Sequence, residues 1–82
     1  MYYVYVIQSR KDNCFYTGFT SNLEKRLQAH NKGKVRSTKS RRPFVLLYSE
    51  KLETKEMARE RELYFKSGIG REFLKQKLTQ NT

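Results

Sequence analysis

Alternating aromatic and β-branched residues open the chain and predict two short strands. Positions 2–8 read YYVYVIQ, and positions 14–19 resume the pattern after a polar turn. Aromatic and β-branched residues at a spacing of two favour strands, and a short polar turn between two such strands favours an antiparallel hairpin. The alternation predicts that Tyr3, Tyr5 and Ile7 share one face of the first strand and that the even-numbered side chains share the other.

The apolar spacing then changes to three and four residues, which predicts a helix. Ser21 and Glu24 fit the capping box, in which a Ser is followed three residues later by a Glu. Leu23 and Leu27 lie one turn apart on the predicted buried face. Asn and Gly within residues 31–33 favour the end of this helix.

The second half of the chain predicts one strand and two helices. Residues 31–42 hold six basic residues and no acidic ones, so they predict an exposed loop that buries nothing. Residues 43–50 predict a third strand, and residues 71–78 predict a short final helix after a break at Ser67 and Gly68. Between the third strand and the final helix, Thr54 would cap another helix that runs to about Lys66. Its buried face would carry Met57, Ala58, Arg61, Tyr64 and Phe65. The predicted order is ββαβαα.

Length and composition narrow the class of protein. A chain of 82 residues predicts one domain over residues 1–82, and a single cysteine, Cys14, excludes an internal disulfide and argues against a structural zinc site. The longest apolar run, residues 2–7, is far shorter than the roughly 20 residues of a membrane helix. The first residues do not show the basic and then apolar pattern of a secretion leader, so we do not expect secretion. We therefore expect a cytoplasmic protein without a membrane partner.

The charge of the chain is unevenly placed. Residues 1–42 hold ten basic and two acidic side chains, whereas residues 43–82 hold eight and six, within a total formal charge of +10. A basic field concentrated in one half attracts polyanions, and nucleic acid is the first candidate. The alternative is a basic surface that only keeps the chain in solution.

Four side chains near the hairpin could hold a phosphate and move a proton beside it. They are two phenols, Tyr5 and Tyr16, and two residues of the first helix, Arg26 and His30. At a spacing of four, the helical pair lies on one side of the helix. Taken alone, a packing role explains His30 and an exposed charge explains Arg26. Their position behind a hairpin with two tyrosines favours a shared site, with open space beside Tyr16 left by Gly18.

Glu62 is the candidate metal ligand. It lies one turn before Lys66, so an ordinary ion pair on the helix surface is the alternative explanation. The sequence does not cluster the carboxylates that a two-metal site needs. One Mg²⁺ or Mn²⁺ ion, held by one carboxylate, waters and a substrate phosphate, is what the chain could bind.

These residues resemble the GIY-YIG nuclease superfamily, in particular its small single-domain members. Tyr3-Val4-Tyr5 stands in place of the first motif and Tyr16-Thr17-Gly18 in place of the second, and residues 16–31 are especially similar to the family. The first motif lacks its Gly and Ile, and Thr17 replaces the Ile of the second. Phe19 stands where excision-repair members carry a Lys. The resemblance implies an α+β fold, a small three-stranded sheet flanked by helices.

The resemblance also implies a metal-dependent endonuclease that cleaves DNA phosphodiester bonds, with structured DNA of repair or recombination as its substrate. Tyr5 or Tyr16, with Tyr5 favoured, would take a proton from the attacking water. Arg26 would steady charge on the phosphate, and His30 would assist proton transfer or orientation. Glu62 would hold the metal ion. Tyr48 would complete the pocket with a hydrogen bond.

Residues 31–42, which we call the basic loop, are the candidate nucleic-acid-binding surface, with DNA favoured over RNA. Its members are Lys32, Lys34, Arg36, Lys39, Arg41 and Arg42. Phosphate contacts position a protein without reading sequence. Two alternatives stay open: a non-catalytic nucleic-acid-binding module with a vestigial site, and a small basic accessory protein. A homodimer or a protein partner is also left open.

Overall fold

The computed structural model describes residues 1–79 and contains three strands and three α-helices in this range. The elements are β1 (Tyr2–Ser9), β2 (Phe15–Thr20), α1 (Leu23–Asn31), β3 (Phe44–Leu52), α2 (Lys55–Lys66) and α3 (Gly68–Thr79). A short 3₁₀ helix, Lys39–Arg41, precedes β3. The order ββαβαα and the α+β class are therefore confirmed. Within the described residues, no helix is long and apolar enough to cross a membrane.

β1 is the central strand of an antiparallel sheet with the order β2-β1-β3. Tyr5 lies opposite Gly18 on one neighbour and opposite Ser49 on the other. The run from Val4 to Ile7 is buried on both sides, as expected of a central strand covered by helices on both faces. This arrangement leaves β2 and β3 as the two edges of the sheet.

Helices cover the two faces of the sheet separately. One core cluster joins α2 and α3 to the even-numbered side chains of β1: Val4, Val6, Ala58, Phe65 and Leu74. The other joins α1 to the odd-numbered side chains, with Tyr5, Ile7 and Phe44 buried and Tyr16, Leu23 and Leu27 packed against them. The predicted alternation of β1 is confirmed, and it separates the two layers.

Two predictions about helix α1 and the loop after it are wrong. The N-cap is Asn22 instead of Ser21, because Thr20 Oγ1 accepts from the Asn22 backbone N–H (3.1 Å) and Asn22 Oδ1 in turn accepts from the Lys25 backbone N–H (3.0 Å). The basic loop does bury a residue. Thr38 is fully buried, since its short side chain turns inward between exposed basic neighbours.

Two details of α2 and α3 also differ from the prediction. Met57 is 46% exposed, because it lies one residue from Ala58 and therefore off the narrow buried stripe. α3 begins at Gly68, three residues early, because Ser67 Oγ accepts from the Gly70 backbone N–H (3.2 Å) in the manner of an N-cap. The break at Ser67 is confirmed, and a new helix starts directly after it.

Candidate active site

Two strands and one helix bring four predicted side chains together. Tyr5 comes from β1, Tyr16 from β2, and Arg26 and His30 from α1. The ring centroids of Tyr16 and His30 are 5.0 Å apart, those of Tyr5 and His30 are 5.7 Å apart, and those of the two tyrosines are 6.4 Å apart. We call these four residues the tyrosine–histidine cluster.

A chain of hydrogen bonds runs through this cluster. Arg26 Nε donates to the Tyr5 hydroxyl oxygen at 3.3 Å, and the same oxygen lies 2.9 Å from His30 Nε2. His30 Nδ1 lies 2.8 Å from Thr38 Oγ1, and the Thr38 hydroxyl donates to the Val35 carbonyl (3.4 Å). Because Thr38 uses its proton there, we assign the imidazole proton to Nδ1. His30 Nε2 is then the acceptor of the Tyr5 proton.

Thr38 is the site residue that sequence reasoning missed. Its loop position among basic residues indicates exposure, yet its side chain is fully buried and fixes the tautomer of His30. Asn31 holds this loop closed by bonding both the backbone N–H and the carbonyl of Phe44. A hydroxyl residue eight positions after a candidate His is the one signal that the sequence offers.

Burial and nearby charge set the protonation of the cluster. Burial and, as a smaller contribution, the nearby Arg26 charge lower the pKa of His30 to about 4. Burial also raises the pKa of Tyr5, although its hydrogen bond to Arg26 and the charge of Arg26 oppose this. Both residues are therefore neutral at pH 7. The interaction with Tyr5 raises the pKa of Arg26, with a smaller contribution from Tyr16, so the guanidinium is the positive charge of the cluster.

Gly18 allows the two tyrosines to share this space. A Cβ atom at Gly18 would lie 2.6 Å from the Tyr5 hydroxyl oxygen and 3.3 Å from Tyr16 Cε1. Any larger residue would displace the Tyr5 ring. The prediction that Gly18 leaves open space beside the Tyr16 ring is wrong, because the Tyr5 hydroxyl occupies the space over Gly18.

Glu62, on α2, interacts with the tyrosine–histidine cluster through its charge. Its side chain is 17% exposed and lies 3.8 Å from Lys66 Nζ, and its charge contributes to raising the pKa of Tyr5. Within residues 1–79, no three metal-binding side chains gather to hold an ion. A lone, partly buried carboxylate fits a hard cation that keeps most of its waters and takes a phosphate oxygen as a further ligand.

The structure does not bring Tyr48 to the cluster. Tyr48 lies opposite Val6 of β1 and therefore on the face that packs against α2 and α3. Its hydroxyl donates to Glu50 Oε2 (2.5 Å), and Glu50 also accepts two bonds from Arg61. Burial and the bond to Glu50 raise the pKa of Tyr48 to about 12. Tyr48 thus belongs to a stabilising network on the opposite face.

Comparison with known proteins places this geometry in a family. The family described as "GIY-YIG catalytic domain" matches residues 1–75 of the chain. The chain belongs to the GIY-YIG family. A relative of this GIY-YIG domain, the UPF0213 protein SH2523 of Staphylococcus haemolyticus, is 46% identical to it over 67 residues, which is 80% of each chain. The UPF0213 protein CPE1444 of Clostridium perfringens is 48% identical over 80% of this chain and 71% of its own.

A solved structure supports the same fold for this GIY-YIG domain. The solution structure of the UPF0213 protein BH0048 from Bacillus halodurans is 32% identical in sequence, with a TM-score of 0.56. The match covers 93% of this chain and 84% of that one. The similarity therefore extends over nearly all the strands and helices that carry the cluster.

The departures from the GIY-YIG motifs leave the strand pairing intact. Tyr3 pairs with Thr20, and Thr17, in place of the motif Ile, is buried opposite Val6. β-Branched and aromatic replacements suit a half-buried sheet. The pairing of Tyr5 with Gly18, on which the cluster depends, is retained.

The basic loop of this GIY-YIG domain is mostly exposed and joins the cluster through Thr38. Arg41 is half-buried, and the other predicted phosphate ligands, Lys32, Lys34, Arg36, Lys39 and Arg42, are exposed. The Arg42 guanidinium lies against Gly33, where a Cβ atom would be 2.4 Å from Nη1. Gly33 has a φ of +77°, so it supplies both the turn and the room for Arg42.

Proposed function

We propose that this protein is a metal-dependent endonuclease that hydrolyses phosphodiester bonds of DNA, with branched or flapped DNA of repair or recombination as its substrate. The observation that carries the proposal is the hydrogen-bonded path from Arg26 through Tyr5 to His30. A guanidinium, a phenol and a neutral imidazole within hydrogen-bonding distance can hold a phosphate and transfer a proton beside it.

Arg26 binds the scissile phosphate in this proposal. Its side chain is half-buried, and its bond to Tyr5 fixes the guanidinium beside the phenol. A fixed positive charge in a site of low dielectric stabilises the additional negative charge of the transition state. Tyr16 lies beside the same guanidinium and orients it.

Tyr5 accepts the proton of the attacking water while its own proton moves to His30 Nε2. A free phenol has a pKa near 10, so a phenolate at pH 7 costs about 4 kcal/mol, and burial raises that cost. The path to His30 reduces the cost because no separated phenolate has to form. A bound phosphodiester offsets the Arg26 charge that lowers the pKa of His30, and it thereby makes the imidazole a better acceptor.

Glu62 is the residue that would hold the divalent ion, Mg²⁺ or Mn²⁺. When bound, such an ion neutralises charge on the phosphate and favours the ionised form of a nearby phenol. Glu62 already interacts electrostatically with Tyr5, which supports its position at the same site. The ion pair with Lys66 orients the carboxylate until the divalent ion binds.

The basic loop would bind the flanking phosphates, with DNA favoured over RNA. Since these contacts carry no sequence information, the substrate is selected by its shape. We also propose a cytoplasmic location and a single catalytic domain over residues 1–82. A homodimer or a protein partner would compensate for the small binding surface.

The test is cleavage of branched, nicked and linear DNA with Mg²⁺ or Mn²⁺ and with a chelator. Arg26→Ala should lower the rate by about 10²- to 10³-fold, as loss of a charge-stabilising donor does. Lys25→Ala is the control, because Lys25 directly precedes Arg26 in α1, carries the same charge and is exposed. Glu62→Gln should abolish cleavage, whereas Glu60→Gln on the exposed side of α2 should not.

Cleavage that survives the chelator, or that is equal in Arg26→Ala and Lys25→Ala, would refute the nuclease proposal. One observation favours a second function in that case. Tyr5 is a neutral buried phenol with a raised pKa, which is also expected of a vestigial site. Salt-sensitive binding without cleavage would then identify a non-catalytic nucleic-acid-binding module.

A further inference from the structure

A cavity lies between the edge strand β2 and the helices α2 and α3. Its volume is 710 Å³, within the range of about 300–1,000 Å³ that is usual for small-molecule sites. Its apolar walls include Phe15, Phe65 and Leu74. Phe15 is 47% exposed although it is aromatic, so its ring can contact a ligand that binds in the cavity. We call this space the edge cavity.

The rim of the edge cavity is basic. Lys66, Arg71 and Lys75 line it and are exposed, and no acidic side chain of residues 1–79 lines it. Apolar and aromatic walls beside a cationic rim complement a nucleotide, which has an apolar planar base and an anionic phosphate. An acidic or neutral apolar partner would leave part of this surface without a complement.

The edge cavity lies on the α2 and α3 side of the sheet and borders the candidate active site at the edge strand β2. Tyr16 belongs to the tyrosine–histidine cluster and also lines the cavity. Lys66 lines the cavity while its Nζ lies 3.8 Å from Glu62, the proposed metal ligand. A strand whose phosphate is held at the cluster can therefore pass over the edge of β2 and place its neighbouring nucleotide in the cavity.

We infer that the edge cavity binds one unpaired nucleobase of the DNA strand, next to the scissile phosphate. This inference rests on the proposed function and names the substrate feature that the site selects: a nucleotide free of its complement, as in a flap or at a branch. The base stacks on Phe15, and the rim of Lys66, Arg71 and Lys75 holds the flanking phosphates. A nucleotide in a continuous duplex cannot enter, because its base is paired and stacked.

The experiment compares binding of a short oligothymidylate with that of an abasic oligomer of the same length, in chelator and in the Glu62→Gln background. The two probes have equal phosphate charge and differ only in the bases. We expect Glu62→Gln protein to bind the oligothymidylate about tenfold more tightly, as one stacked base allows. Adding Phe15→Ala should remove this preference. Adding Met57→Ala should keep it, since Met57 is equally exposed (46%) and lies outside the cavity.

Equal affinity for the two probes, or equal loss in Phe15→Ala and Met57→Ala, would overturn the inference. Binding of anionic lipid vesicles that depends on Phe15, without any preference for bases, would also overturn it and assign the cavity to a lipid surface. Circular dichroism of each variant shows whether it is folded. Because these measurements need no cleavage, an inactive protein that prefers the base refutes only the nuclease proposal. An active one without the preference refutes only the base site.

Discussion

His30 is the residue at which the first strand and the basic loop meet. Its Nε2 bonds Tyr5 and its Nδ1 bonds Thr38, and its side chain is fully buried. Burial of an imidazole is tolerated when both nitrogens are bonded, because an unsatisfied buried polar atom is costly. The position of His30 on the same side of α1 as Arg26, close to Tyr5, could be predicted from its spacing to Arg26. Its second partner could not, because Thr38 follows it by eight residues in a loop.

Replacement of Thr38 tests its role in positioning His30. Thr38→Val keeps the shape of the side chain but leaves the His30 Nδ1 proton without an acceptor. We expect a loss of about 1–3 kcal/mol in the free energy of unfolding, measured in urea, together with slower cleavage. Thr38→Ser keeps the acceptor and should restore both, apart from the small cost of a lost methyl group. Equal rates and stabilities for the Val and Ser variants would contradict this role.

The pH dependence of stability tests the burial of His30. Its pKa is about 4 in the folded protein and 6.5 in the reference state, so the unfolded chain binds more protons between these values. Stability is therefore complete above pH 6.5 and falls as the pH drops to 4, by up to about 3 kcal/mol. Denaturant unfolding between pH 7 and pH 5 measures most of this, before Glu50, whose pKa is also lowered, begins to contribute.

His30→Gln is the control for this measurement, because an amide can bond both partners and does not titrate in this range. The variant should lose the slope between pH 7 and pH 5 while the wild type keeps it. If the two proteins show the same slope, another group titrates and the assignment of His30 as a neutral buried imidazole is wrong.

At the scale of elements, the hairpin was predictable and the exact start of α1 was not. Alternation in β1 and β2 is a strong signal because one register buries Val4 and Val6 and presents Tyr5 on the opposite face. The capping box at Ser21 is a weaker signal, since Asn22 competes for the same role. The local bond from Thr20 Oγ1 to the Asn22 backbone decides in favour of Asn22.

Paired substitutions at the start of α1 measure this competition. Asn22→Ala removes the acceptor of the Lys25 backbone N–H, so it should destabilise the protein by about 1 kcal/mol in chemical unfolding. Ser21→Ala should change stability by less than half as much, because Ser21 is exposed and does not cap. The reverse ranking would restore the capping box that the sequence suggests.

At the scale of the whole molecule, charge is divided between two regions with different tasks. The acidic residues of the second half include Glu50 and Glu62, which are half-buried and paired with Arg61 and Lys66. The basic loop instead is mostly exposed, and residues 31–42 contain no acidic residue. Composition predicted this basic half directly, whereas the edge cavity arises only where β2, α2 and α3 meet.

The salt dependence of DNA binding measures the contribution of the basic loop. If about five phosphates are neutralised, log K against log salt should slope at about −4 to −5 on duplex DNA. Lys34→Ala with Arg36→Ala should make the slope shallower by about 2. Lys51→Ala with Lys55→Ala removes the same charge elsewhere and should leave the slope close to that of the wild type. Equal slopes for the two double variants would show that the basic loop is not the DNA-binding surface.

The alternation of β1 has a consequence for how its sequence can change. The candidate site residue Tyr5 stands directly between two core residues of this strand, Val4 and Val6, which face the opposite side of the sheet. An insertion or deletion between Tyr3 and Val6 would slip the register by one step, turning a valine into the imidazole's neighbour and the phenol into the layer beneath α2. Changes of length are therefore restricted to the hairpin turn, and divergence within β1 must proceed by substitution alone.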